Sequence, residues 1–260
     1  MSEGLYDVHL AKGQGMISET ILLLNLWQPG VSPSKLRDKV VAEGILPKAT
    51  AYRTSDIVTR VFAPRYLSGG DIPAKWLKTL VASGWQGDRL SQLFLIYTAR
   101  ANLILRDFID EVYWPHYRAG VHFVHRQEGV NFLKSASANG KLRNQWSDAM
   151  QAKVVRYLFA SLLDFRMTRN LPKNRREILQ FSILPTTTAY LAHELHFRGL
   201  GDSTLVNHPD WALFGLDQYA VLQELRKISA HLIVQSAGDL VRIAWSYESM
   251  EDFINVVARG

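Results

Sequence analysis

Apolar residues in this chain recur mostly at helical spacing between glycine and proline breaks, and that pattern commits the chain to packed helices. From Asp88 to Ala119, the residues Leu93, Ile96, Tyr97, Leu103, Ile104, Phe108, Ile109 and Val112 follow the α-helical period on one long element, which Pro115 is expected to kink or end. Met150, Val154, Val155, Leu158, Phe159 and Leu162 fall on one side of a second strong helix, over residues 147–163. Two regions depart from this period. Residues 178–184 alternate as a strand, and residues 231–236 and 241–245 flank Ala237-Gly238-Asp239, a hairpin signal. The expected fold class is mainly α (α+β), with an N-terminal helical bundle holding a helix-turn-helix-like pair, followed by winged-helix-like units with short β-hairpins.

With 260 residues, 47% of them hydrophobic, the chain can build a substantial core, so wholesale disorder is not expected. The absence of cysteine excludes disulfides, a thiolate nucleophile, a cysteine-based zinc site and an iron–sulfur cluster. Residues 1–12 carry Glu3 and Asp7 and lack a basic region leading into an apolar one, so they do not read as a signal peptide. The apolar stretch from Ile21 to Trp27 is interrupted by Asn25 and is far too short to cross a bilayer. A cytoplasmic location is expected.

The net charge of +6 is modest, but it is unevenly distributed. Residues 1–120 hold 14 basic and 11 acidic side chains, residues 121–184 hold 11 and 4, and residues 185–260 hold 5 and 9. These boundaries divide the chain into a helical bundle, a basic winged-helix-like domain and an acidic segment of helices and a hairpin. Clustered Lys and Arg on one module is the footprint of nucleic-acid contact, because each neutralised phosphate releases counterions. The alternative is a solvated basic face.

In the first segment, Gly13-Gln14-Gly15 precedes a helix from about Met16 to Gln28 without the strand or the Gly-Lys-Ser/Thr of a phosphate loop, so it reads as a plain loop. A second helix opens at Ser32-Pro33 and runs to Gly44, and a third covers residues 51–67, with Pro64 expected to end it early. This pair is rich in basic residues, making Lys35, Arg37, Arg53, Arg60 and Arg65 secondary DNA-binding candidates. Asp107, Asp110 and Glu111 form an acidic cluster that lacks a partner at metal-ligand spacing and reads as a solvated face.

The middle segment gives a helix from about Arg126 to Ser137, a polar turn, the helix over 147–163, a basic tip over 169–176 and the strand at 178–184. Helix, turn, longer helix and hairpin is the order of a winged helix, whose second helix enters the major groove while the wing reaches adjacent phosphates. Ala149, Lys153, Arg156 and Ala160 form a small, basic outer strip on that second helix. The DNA-binding candidates are therefore Lys141, Arg143, Asn144 and Gln145 before the helix, Lys153 and Arg156 on it, and Arg169, Lys173, Arg175 and Arg176 at the wing.

The last segment again gives helices followed by a hairpin, on an acidic background that disfavours phosphate and suits protein contact. His193 and His196 stand at i, i+3, not the i, i+4 spacing of a zinc protease, and read as packing histidines. No Gly-x-Ser-x-Gly nucleophile turn is present. No enzymatic activity, cofactor or metal is expected.

Several segments together carry a family likeness: Ile17-Ser18-Glu19-Thr20, the spaced Arg53, Arg60 and Arg65, Tyr97-Thr98-Ala99-Arg100, Leu105-Arg106-Asp107-Phe108 and Trp146-Ser147. They continue in Tyr190-Leu191-Ala192-His193-Glu194-Leu195, Asp210-Trp211-Ala212-Leu213-Phe214-Gly215-Leu216 and Val241-Arg242-Ile243-Ala244-Trp245. With these the chain resembles the BrxA family of bacteriophage exclusion (BREX) defence systems, also described as similar to the antitermination factor NusB. The resemblance implies a non-enzymatic, cytoplasmic DNA-binding component of a BREX system, and the winged-helix order makes double-stranded DNA the expected ligand. Its implied protein partners are the system's methyltransferase, ATPase and phosphatase-like proteins. The NusB-like description would instead imply RNA binding by a helical bundle, and a third possibility is an assembly adaptor.

Overall fold

The computed structural model describes residues 5–46, 49–172, 175–238 and 240–259. The fold is mainly α with two small antiparallel sheets. A 3-10 turn (His9–Lys12) leads to α1 (Ile17–Leu26), α2 (Pro33–Ala42) and α3 (Ala51–Asp56). Ser32 caps α2 and Thr50 caps α3, each side chain accepting a hydrogen bond from the backbone amide three residues on. Beyond Asp56 the backbone runs on as a π-helical stretch, Ile57–Leu67. That wider winding accommodates Pro64, so the element does not end early as its proline predicts.

Next come α4 (Ile72–Ala82), α5 (Asp88–Ala101), α6 (Leu103–Phe108), a π turn (Ile109–Tyr113) and α7 (Trp114–Arg118). The long element expected over 88–119 thus breaks once, at Asn102, which leaves helical geometry at φ −139° and ψ 85°. Asn102 is buried, and its Nδ2 donates to the Thr98 carbonyl at 2.8 Å, so the side chain supplies part of the bonding that the backbone gives up. Every residue from Leu90 to Ala99 is buried, which makes α5 the central helix. It packs on the π stretch from the first segment and on α10 (Pro185–Phe197) from the last.

Between these lie β1 (Phe123–Val124), α8 (Arg126–Ala138), α9 (Asp148–Asp164), β2 (Thr168–Leu171) and β3 (Arg175–Ile178). The sheet order is β1-β3-β2, all antiparallel, with Val124 opposite Arg176 and Asn170 opposite Arg176 from the other side. The hairpin lies upstream of its expected position. Its second strand is Arg175–Ile178, whereas residues 179–184 form no strand and carry the chain to α10. Gly129 lets α8 approach α9: a Cβ there would sit 2.8 Å from a Val155 methyl and 3.1 Å from the Phe159 ring.

After α10 come α11 (Asp202–Val206), a 3-10 turn (Pro209–Phe214), α12 (Gln218–Arg226), the hairpin β4 (Leu232–Ala237) and β5 (Leu240–Trp245), and α13 (Met250–Val257). One hydrophobic cluster runs from Tyr6 to Ile254 through all three segments. Near the start of the chain, the Tyr6 amide donates to the Lys141 carbonyl at 2.7 Å and the Arg143 amide donates to the Tyr6 carbonyl at 3.1 Å. No described helix is long and apolar enough to cross a membrane.

Candidate nucleic-acid interface

The Ser147 hydroxyl accepts from the Met150 amide at 3.3 Å and starts α9. Val154, Val155, Leu158, Phe159 and Leu162 then turn inward, and Lys153 and Arg156 remain exposed on the other side. Arg143, Asn144 and Gln145, just ahead of the helix, are exposed as well.

The expected basic tip resolves into strands. Arg169 lies in β2, and Arg175 and Arg176 in β3; Lys173 lies outside the described residues. Arg169 is tied to Glu177 across the hairpin by a charge-assisted hydrogen bond. Arg175 is exposed, with its guanidinium 5.1 Å from the Phe123 ring centre. Arg176 lies 4.6 Å over the Phe159 ring, joining the sheet to α9. Burial and the positive charge of Arg126 lower the affinity of Arg176 for its proton. Arg126 itself opens α8, where the helix end is already positive. The first turn of α8 also carries Glu128, whose carboxylate accepts from the His125 amide at 3.0 Å and caps the helix end, so Arg126 and Arg176 supply the positive charge there.

Among the described residues, Arg126, Lys134, Arg143, Lys153, Arg156, Arg175 and Arg176 of this module have no ion-pair partner within 4.0 Å. Arg126 and Lys134 are not singled out by the sequence pattern. The β1–β3 pairing, which has no sequence signal at a length of two residues, helps bring Arg126 beside the hairpin.

Lys141 is placed differently from expectation. Its Nζ is 3.1 Å from Glu111 and 3.5 Å from Asp107, so its charge is neutralised by the acidic cluster of the long element. Asp107 also accepts from the Tyr6 hydroxyl at 2.6 Å. Two of the three clustered acids are thereby engaged in holding the chain together.

Most of the secondary candidates are engaged within the protein. Arg65 is buried and donates to the carbonyls of Gly13 and Gln14 at 2.7 and 2.8 Å, which removes it from any phosphate and fixes the glycine loop. Arg53 donates to the Lys12 carbonyl, Arg37 pairs with Asp38 at 2.6 Å, and Arg60 pairs with Asp56 at 3.2 Å. Lys35 is exposed.

The histidines pack against aromatic rings: His193 stacks on Phe253 with ring centres 4.2 Å apart, and His196 on Trp245 at 4.0 Å. Arg100, in the Tyr97–Arg100 segment, ties α5 to Glu194 of α10 at 2.6 Å and to Asp210 at 2.7 Å.

A protein-family model described as BrxA matches residues 4–194. The chain belongs to the BrxA family. BrxA membership implies a component of BREX phage defence. The match stops at residue 194, so the likeness-bearing segments 210–216 and 241–245 lie beyond it. A search of curated proteins gave no match. Among solved structures, the chain is similar in fold to an uncharacterized protein from Magnetospirillum magneticum, at 18% identity and a TM-score of 0.59. That similarity covers 74% of this chain and 94% of the other.

Proposed function

We propose that this BrxA-family protein is a non-enzymatic, double-stranded-DNA-binding component of BREX defence, contacting DNA through the unit formed by β1, α8, α9, β2 and β3. The observation carrying this reading is the set of unpaired cations on that unit. They occupy both the outer side of α9, the helix a winged helix would place in the major groove, and β3 of the adjoining hairpin. Exposed Asn144 and Gln145, at the approach to α9, add groups able to hydrogen-bond base edges. Contact with the phosphate backbone supplies most of the affinity in this reading, since most of these groups are simple cations. Duplex DNA is favoured over RNA because A-form RNA closes its major groove to a helix.

The test is a fluorescence-anisotropy titration of labelled duplex DNA at low and moderate salt, with the wild-type chain and with Arg143, Lys153, Arg156 and Arg175 all changed to Glu. The expected result is salt-sensitive binding by the wild type and loss of binding in the variant. Equal affinity in the two proteins would remove this unit from the interface, and preference for an RNA duplex of the same sequence would overturn the DNA reading.

A further inference from the structure

A cleft of about 650 Å³ lies between α4, α5, α10 and the start of α13, and none of its lining residues belongs to the basic module. Its lining combines apolar and aromatic side chains, among them Ile72, Trp76, Tyr97 and Phe197, with three arginines and three glutamates. Ile72 is 42% exposed and presents apolar surface at the cleft.

The three arginines are each engaged. Arg65 donates to the backbone carbonyls of the glycine loop, and Arg100 is held by Glu194 and Asp210. Arg198 stands 3.6 Å from Glu194, so that carboxylate faces two guanidinium groups. The exposed charges left without an ion-pair partner are negative. Glu248 and Glu251 are exposed at the cleft, and neither has an ion-pair partner among the described residues. Glu251 Oε1 accepts from the Trp76 indole at 3.1 Å, which fixes one carboxylate against the aromatic wall and leaves its second oxygen open. An acidic residue in the first turn of α13 is favoured by the helix end alone, but Glu248 precedes the Ser249 cap and has no such explanation.

An apolar, aromatic wall with unpaired carboxylates at its mouth is complementary to a cation carried on an apolar stem, the chemistry of an arginine or lysine side chain. The cavity size is that of a site for a small ligand or a short stretch of peptide. We infer that this cleft docks a short segment of a partner protein, with a basic side chain between Glu248 and Glu251 and an apolar neighbour against Ile72 and Trp76. The site is independent of the DNA-binding reading: the two surfaces share no residue and have opposite unpaired charge.

A positional-scanning hexapeptide library on the full-length chain tests it, followed by affinity measurement for the best hexapeptide. The expected result is selection of Arg or Lys at one position and an aromatic or aliphatic residue beside it. Glu248→Gln combined with Glu251→Gln keeps the acceptor for the Trp76 indole, and weakens the hexapeptide about tenfold or more without changing the melting temperature. Glu248→Lys alone shifts selection at the basic position toward Asp or Glu, an outcome that misfolding cannot mimic. The inference is overturned if no residue type is selected, if basic selection survives the double substitution unchanged, or if replacing the selected arginine by citrulline leaves the affinity the same.

Discussion

Arg100 and Glu194 face each other as a fork on a carboxylate, with Nη1 donating to Oε1 at 2.8 Å and Nη2 to Oε2 at 2.6 Å, while Nε donates to Asp210 at 2.7 Å. The three side chains come from the central helix, from α10 and from the 3-10 turn after α11, and both carboxylates are nearly buried. Replacing Arg100 by Ala leaves two interior carboxylates without their cation. The expected loss of stability is about 3–5 kcal/mol in urea unfolding. Glu194→Gln, which keeps an acceptor, should cost less.

Lys141 and Lys153 provide a direct contrast between a neutralised and an unpaired lysine. Lys153→Ala and Arg156→Ala should each weaken DNA binding and lower the slope of log affinity against log salt by about 1 if each meets a phosphate. Lys141→Ala should leave that slope unchanged and instead lower stability, because it breaks contacts to Glu111 and Asp107. Anisotropy titrations across a salt series, alongside thermal melts, separate the two outcomes.

Gly129 sets the spacing of α8 and α9. Gly129→Val would drive side-chain atoms into Val155 and Phe159 and should cost about 1–3 kcal/mol, measured by urea unfolding. The same change should weaken DNA binding through displacement of α9.

His193 provides a pH signature. Burial, with lesser contributions from the neighbouring His231 and His196, lowers its pKa to about 4, whereas the unfolded chain titrates near 6.5. The unfolded state therefore takes up this proton first as pH falls. The contribution is absent above about pH 6.5, grows as an acid destabilisation down to about pH 4, and reaches about 3 kcal/mol there. His193→Phe keeps an aromatic ring beside Phe253 and should flatten that part of the stability profile. Urea midpoints at pH 7 and 4.5 for both proteins measure the difference.

What the sequence made legible follows from how local each signal is. The inward residues of α9 and its exposed Lys153 and Arg156 are set by helical spacing alone, and the structure places them as that spacing requires. The break at Asn102 is invisible because apolar periodicity continues on both sides of it. β1 is invisible because two residues show no alternation. Whether a cation is free is a long-range property: Lys141 meets acids 30 and 34 residues away, and Arg65 meets carbonyls some 50 residues away. No local pattern separates those residues from Lys153.

The backbone bonds between Tyr6 and residues 141 and 143 bear on the order in which the molecule assembles. During synthesis the segment around Tyr6 leaves the ribosome long before its partners do, so its place in the core stays open until the basic module has emerged. The early helices can pair with one another as they appear, but the bundle is completed only when the middle of the chain and then α10 of the last segment arrive to cover it. Coupling of this kind makes the α8–α9 region a checkpoint for the whole molecule: a chain truncated before residue 141 would leave Tyr6 and the carboxylate of Asp107 without the backbone and the lysine that hold them.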